Sequence, residues 1–277
     1  MKLSFDPSHD SGGWAHGADP YLTSYNGVKI YGTARRPAIP VQPQVHILGR
    51  GELPPDHYGF PPGFAIARID KDKFSHASHI SKEEIDLGIS RFHQWHFDAS
   101  LYGIPPPRVG CLLAVRVPKG PDVTIWWGDD SGDKVQAKPG STAFVAGSRA
   151  LELLDEETRN IVLHSRVEYA PHAFRWIFPA KPMFLGHSLE TEGKEVPLDQ
   201  LPPWTRDKIC IYPMVWTNPR TGEKSLQVHG QTALKLYLKD SAEGVERVID
   251  DLKEVRAFLH KYVLREVGSC HICTQLL

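Results

Sequence analysis

The chain has 277 residues, 32 basic and 33 acidic side chains for a formal net charge of −1, and 10% aromatic residues. That balance offers no electrostatic ground for a nucleic-acid or membrane-surface partner and points to a small-molecule ligand, with oligomeric state left open. Glycine and proline, 23 of each, favour short elements and tight turns; no apolar run reaches the ~20 residues that cross a bilayer, and the opening MKLSFDPSHD turns polar too early for a secretory signal, so a cytoplasmic protein is expected.

One domain is expected over residues 1–277, with an irregular N-terminal wrap over 1–40 and a divergent tail over 262–277. Turn formers crowd the first 63 residues, and short apolar pieces at Val28–Tyr31 and Val45–Leu48 read as isolated strands. Ser81–Gly88, SKEEIDLG, carries the signature of a short capped helix ending at glycine. Val109–Val117 is apolar enough for a buried strand; Val123–Trp127 and Ser141–Ala146 follow as strands, with a solvated turn at Gly128–Gly132.

From Ser148 to His164 the apolar spacing is helical, with Asp155 placed to cap a second start. Arg166–Tyr169 and Phe174–Phe178 read as strands around Pro171 and His172, and residues 179–205 as a long loop of the kind that covers a pocket. Ile209–Thr217 resumes as a strand, Asn218–Gly222 turns, and Ser225–His229 returns as a hairpin arm. Asp240–Phe258 reads as the clearest helix, opened by a capping box of Asp240 with Glu243. Cys111 and Cys210 sit in apolar segments as core thiols, whereas Cys270 and Cys273 form a lone CxxC in a tail expected to fray.

The chemistry concentrates in Trp95, His96, Phe97, Asp98. On a strand, residues two apart point to the same face, so this imidazole and carboxylate would converge on one point. Two such ligands suit a two-His, one-carboxylate facial site for ferrous iron that leaves positions open for substrate and oxygen. The third ligand must come from downstream, where His164, His172, His187, His229, His260 and His271 are available. His229 fits best locally, at the end of a strand arm in LQVHG, and is the candidate for a surrogate third ligand. A bound 2-oxo acid would also want an arginine for its distal carboxylate, yet after His229 no arginine occurs before Arg247.

The string WHFDASLY, a proline-rich break, a segment ending VRVPKGPD, then Thr124 and Trp126, resembles the TauD/TfdA-like branch of iron(II) and 2-oxoglutarate dependent oxygenases. NPRTGEKSLQVH resembles that family's segment ahead of a capped helix. The strings GPD, GSTAFVAG, EYAPH and QLPPW are closest in flavour to its xanthine dioxygenase group.

The resemblance spans about residues 41–265 and implies a mainly β fold, a double-stranded β-helix or jelly roll with flanking helices. It implies Fe(II) as cofactor and 2-oxoglutarate as cosubstrate, with His96 and Asp98 as iron ligands and Thr124 helping to hold the 2-oxoglutarate carboxylate. It also implies a later strand bearing a second histidine ligand and an arginine, whereas from Tyr262 this sequence runs VLREVGSCHICTQLL. Two accounts follow. In one the chain is an oxygenase that hydroxylates a small molecule with release of succinate and carbon dioxide. In the other it is a C-terminally truncated, non-catalytic member with an incomplete jelly roll.

Overall fold

A computed structural model of the chain describes residues 22–25, 28–31, 38–39, 42–47, 51–55, 59–66, 79–91, 101, 111–126, 132, 134–177, 179 and 195–264. The chain divides into two units, Met1–Asp70 with Tyr102–Pro107 and Lys71–Leu101 with Arg108–Leu277.

Among the described residues, the first unit contains three antiparallel two-stranded ribbons. β1 (Leu22–Tyr25) pairs with β2 (Val28–Tyr31), β3 (Ala38–Ile39) with β4 (Gln42–His46), and β5 (Gly51–Glu52) with β6 (Ala65–Ile66). Strand β2 falls where the sequence places it, and β4 begins three residues before the expected Val45. Phe60 is buried and stacks on Phe64 at 4.5 Å, while the Leu53 N–H donates to the Phe64 carbonyl at 2.9 Å, closing this ribbon at its loop end.

The second unit opens with α1 (Lys82–Asp86), the expected capped helix. The Ser81 hydroxyl accepts from the Glu84 N–H, and the Glu84 carboxylate accepts from the Ser81 N–H, a reciprocal box whose serine contributes about 1 kcal/mol. Gly88, at φ +77°, then reverses the chain in a conformation that costs a side-chain-bearing residue strain. β7 (Ile89–Ser90) lies parallel to β8 (Val123–Trp126), which pairs antiparallel with β9 (Lys134–Ala137).

Two of the expected strands are irregular instead. Residues 111–117 are irregular, with Leu113 83% and Val115 70% exposed, and Cys111 is exposed where a core thiol was expected. Residues 141–146 are also irregular. Apolar composition alone cannot supply the ladder partner a strand requires.

The helical stretch 148–164 is two helices, α2 (Gly147–Leu153) and α3 (Glu156–His164). Leu154 takes an extended ψ of 141°, and Asp155 caps α3 by accepting from the Thr158 N–H and hydroxyl, both at 2.8 Å. Arg159 reaches back to the carbonyls of Leu151, Glu152 and Leu154 at 3.1, 2.7 and 2.6 Å, satisfying acceptors that the end of α2 leaves open. A Cβ at Gly147 would stand 2.6 Å from the Leu226 carbonyl, so only glycine lets α2 start this close to its neighbouring strand.

The largest sheet has the order β11 (Ile211–Pro213), β10 (Arg166–Tyr169), β14 (Ala233–Leu238), β15 (Arg247–Ile249), all antiparallel. In β14, Leu236 and Leu238 face the core while Lys235 and Tyr237 are only half-buried, the alternation of a one-sided strand. The core gathers Leu154, Val162, Val167, Met214, Leu236 and Val255 from both helices and strands.

The expected strand 174–178 is instead a one-turn helix, α4 (Ala173–Trp176). The His172 carbonyl accepts from the Arg175 and Trp176 N–H groups at 2.7 and 3.0 Å and winds the turn. The expected strand 209–217 splits at buried Met214 into β11 and β12 (Val215–Thr217), which pairs with β13 (Lys224–Leu226) in a separate hairpin. Its turn is the expected one: Asn218 Oδ1 accepts from the Arg220 N–H, and Gly222 sits at φ +74°.

The helix expected over 240–258 begins only at α5 (Leu252–Phe258). Gly244 turns back on Ser241, 247–249 pairs with β14, and Asp251, not Asp240, caps the helix by accepting from the Lys253 and Glu254 N–H groups at 3.0 Å.

The mainly β fold with helices is as expected, but among the described residues the sheets are small and open, and a closed jelly roll is not seen. No helix among them is long and apolar enough to cross a membrane.

Candidate active site

Of the residues nominated from sequence, Thr124 is described. It lies at the centre of the three-stranded sheet, with Ile89 beside it on β7 and Gln136 opposite it on β9. Its N–H donates to the Gly88 carbonyl at 2.8 Å, so the turn ending α1 fixes its height on the strand. Its hydroxyl accepts from Gln136 Nε2 at 2.8 Å. One lone pair is thereby engaged, and the hydroxyl proton is left for an outside acceptor such as a carboxylate. Lys138 and Asp122, each one residue beyond these two strands, form an ion pair at 2.5 Å. His96 and Asp98 lie outside the described residues, as do Trp95, His93, Cys270 and Cys273. Arg91, just ahead of the motif, is buried.

His229 is buried where the chain enters β14. Its N–H donates to the Tyr169 hydroxyl at 3.3 Å, its carbonyl accepts from the Thr232 hydroxyl at 3.1 Å, and its ring meets Phe174 edge-on with centroids 5.6 Å apart. Gln231 and Thr232, beyond Gly230, are also buried, so three polar residues lie within the four that lead into β14. The structure brings His229 to Tyr169 and Phe174; its expected partnership with His96 and Asp98 lies outside the described residues.

Among the other candidate histidines, His164 bonds the Asn160 carbonyl through Nδ1 at 2.8 Å and His260 is exposed. Among the described residues no three His, Cys, Asp or Glu side chains gather as a metal would need.

The phenols near His229 are held protonated. Burial pushes Tyr169 far above the ordinary tyrosine value, against the smaller opposing effect of the His229 N–H. Tyr212, whose ring lies 6.1 Å from that of Tyr169, is pushed up to about 12, first by its hydrogen bond with Cys210 and then by burial. Both therefore act as neutral hydroxyls at physiological pH.

His172, another of the downstream histidines, lies between β10 and α4. Among the described residues it alone is a non-glycine at positive φ (50°), and its Nε2 is buried with no hydrogen-bond partner. EYAPHAF does not single this out, because histidine, although enriched with Asn and Asp in the left-handed region, adopts it only occasionally. A crevice of about 190 Å³ lined by Glu157, Thr158, Ile161, Arg247 and Phe258 contains none of the nominated residues.

Residues 30–272 match the family described as taurine catabolism dioxygenase TauD, TfdA. An alpha-ketoglutarate-dependent xanthine dioxygenase, xanA of Emericella nidulans, is 40% identical over 249 residues, covering 88% of this chain and 65% of the relative. Xanthine dioxygenase xan1 of Schizosaccharomyces pombe is 37% identical over 232 residues, covering 81% and 53%. Alpha-ketoglutarate-dependent dioxygenase bsc9 of Alternaria brassicicola is 34% identical over 230 residues, covering 80% and 56%. The chain thus spans between about half and two-thirds of the length of these relatives. No solved structure matches it. The family match runs into the segment read as a divergent tail.

Proposed function

This chain belongs to the taurine catabolism dioxygenase TauD, TfdA family, and from that premise we propose that it is a non-haem Fe(II)/2-oxoglutarate-dependent oxygenase that hydroxylates a small molecule, an oxidised purine such as xanthine. The observation that carries the reading is the similarity at 37–40% identity to relatives named xanthine dioxygenases. The family match is contiguous across both units, which supports reading the chain as one catalytic domain, with the jelly-roll arrangement as its proposed architecture. A cytoplasmic location goes with this reading.

His96 would give an imidazole nitrogen and Asp98 a carboxylate oxygen, the borderline and hard donors that ferrous iron accepts, from two positions of one short segment. Thr124 would donate its hydroxyl proton to a carboxylate of 2-oxoglutarate, a role that fits a hydroxyl whose lone pair already takes the Gln136 amide. When bound, Fe(II) with 2-oxoglutarate would supply the activation of molecular oxygen, the four-electron oxidant, one of whose atoms enters succinate as carbon dioxide leaves while the other enters the hydroxylated product. The task left to the chain is orientation: the strand pair β8 and β9 holds Thr124 rigidly, so cosubstrate binding costs little side-chain ordering.

The test is anaerobic addition of Fe(II) and 2-oxoglutarate to the full chain. The expected result is the charge-transfer absorption of a chelated complex, abolished in H96A and D98A, with succinate released on admitting air. No absorption and no succinate from the unmodified chain would overturn the reading.

A further inference from the structure

Local structure charges His172 twice. Its backbone is left-handed at φ 50° and ψ 47°, a region where a Cβ is unfavourable and glycine is the default. Its Nε2 is buried with no partner, which forfeits solvation without return. The position does not repay this by capping, because the imidazole makes no side-chain cap bond to α4. Glycine would relieve both costs. A residue that breaks two local rules without a local gain is the pattern of a side chain kept for a ligand.

Its surroundings indicate which ligand. Two residues on, Phe174 meets the His229 ring edge-on at 5.6 Å, and the Ala170 N–H bonds the Thr232 carbonyl at 3.2 Å, so segment 170–174 is bound to segment 229–232. The buried polar residues His229, Gln231 and Thr232 lie on that second segment. An edge-to-face aromatic pair beside buried polar groups is the kind of lining that suits a flat ligand with a hydrogen-bonding edge.

Resting on the proposed function, we infer that His172 is a specificity-determining residue of this oxygenase, its Nε2 hydrogen-bonding the polar edge of a planar purine-class substrate that packs beside Phe174 and His229. An imidazole can give or take one hydrogen bond and so can meet either a ring N–H or an exocyclic carbonyl of an oxidised purine.

The experiment compares the full chain with H172G and H172N. Xanthine is titrated calorimetrically onto the metal-free chain, and also onto the anaerobic Fe(II)/2-oxoglutarate complex while its absorption is followed. H172G is expected to melt at the same temperature or higher, to form the 2-oxoglutarate complex unchanged, and to bind xanthine at least tenfold more weakly; H172N falls between. In turnover the KM for xanthine rises while that for 2-oxoglutarate does not. Wild-type xanthine affinity in H172G overturns the inference, as does an affinity loss accompanied by a lower melting temperature. A chain that forms the complex but binds no xanthine overturns it too, and leaves the oxygenase reading standing. Failure to form the complex overturns the oxygenase reading, and the metal-free titration still decides the role of His172.

Discussion

A threonine hydroxyl brings one proton and two lone pairs, and which of these is free decides what it can bind. At Thr124 the Gln136 amide takes a lone pair at 2.8 Å, leaving a donor. T124V keeps shape and removes that donor, and a hydrogen bond to a charged acceptor is worth about 1.5–3 kcal/mol. The 2-oxoglutarate dissociation constant, measured from the anaerobic complex, should therefore rise by roughly tenfold or more. T142V is the matched comparison, since Thr142 is half-buried in the irregular segment ahead of α2. It should leave the constant unchanged; weakening in T142V and not in T124V would move the anchor to the later threonine. At this scale the sequence offers the His-X-Asp triplet as an expectation, because alternation on a strand would link positions two apart. It could not reveal His172, whose cost is written in a dihedral angle and an enclosed nitrogen.

At the scale of elements, caps were more legible than lengths. Asp155 was readable as a helix start, and it does cap α3. Its carboxyl is held below the usual carboxylate value of 3.8, first by the Thr158 N–H and then by the Thr158 hydroxyl. A carboxyl whose pKa falls on folding adds stability that is present above the unfolded value and lost as pH drops through the folded one. D155N, which can cap without titrating, should flatten the fall of melting temperature on the acid side of 3.8, with no change in slope near neutrality. An equal acid-side slope in both proteins would contradict this. Lengths misled wherever apolar spacing continued past a break. Val245 and Val248 fit the helical stripe of 240–258, yet Val245 is 92% exposed and Val248 lies in β15, because pairing with β14 satisfies more backbone groups there than one further helical turn.

Over the whole molecule, long-range pairs decide how segments meet. Arg256 of α5 forms an ion pair with Glu195, 61 residues earlier, and both side chains are under 10% exposed. The guanidinium also lies 6.0 Å from the centre of the Trp176 ring, and Val196 donates to the Trp176 carbonyl at 2.9 Å. The later part of the long loop read as a pocket cover, residues 195–201, is thus fastened to α4 and α5, with Leu201 in a small core beside Trp176. R256A would leave the Glu195 carboxylate buried and unpaired, and unfolding in urea should show a loss of about 3–5 kcal/mol. The double variant R256M/E195L should recover most of that, because no charge then remains buried. A single variant as stable as the parent would show that water reaches the pair.

Sequence alone determined the chemistry on offer: an imidazole and a carboxylate two positions apart, a mainly β chain with helices, and the family that shares those strings. These are local or compositional properties, carried by residues close together in the chain. Tertiary structure decided which segments became strands and which polar residues became buried. Residues 111–117 are apolar and lie exposed and irregular, while Ala233–Leu238, with Lys235 among its three leucines, is an inner strand of the main sheet. The reason is physical. A strand exists only by virtue of a partner, and here the partner of Leu236 is Val167, brought alongside from far upstream by packing that no local pattern encodes. The same packing brings Phe174 to His229.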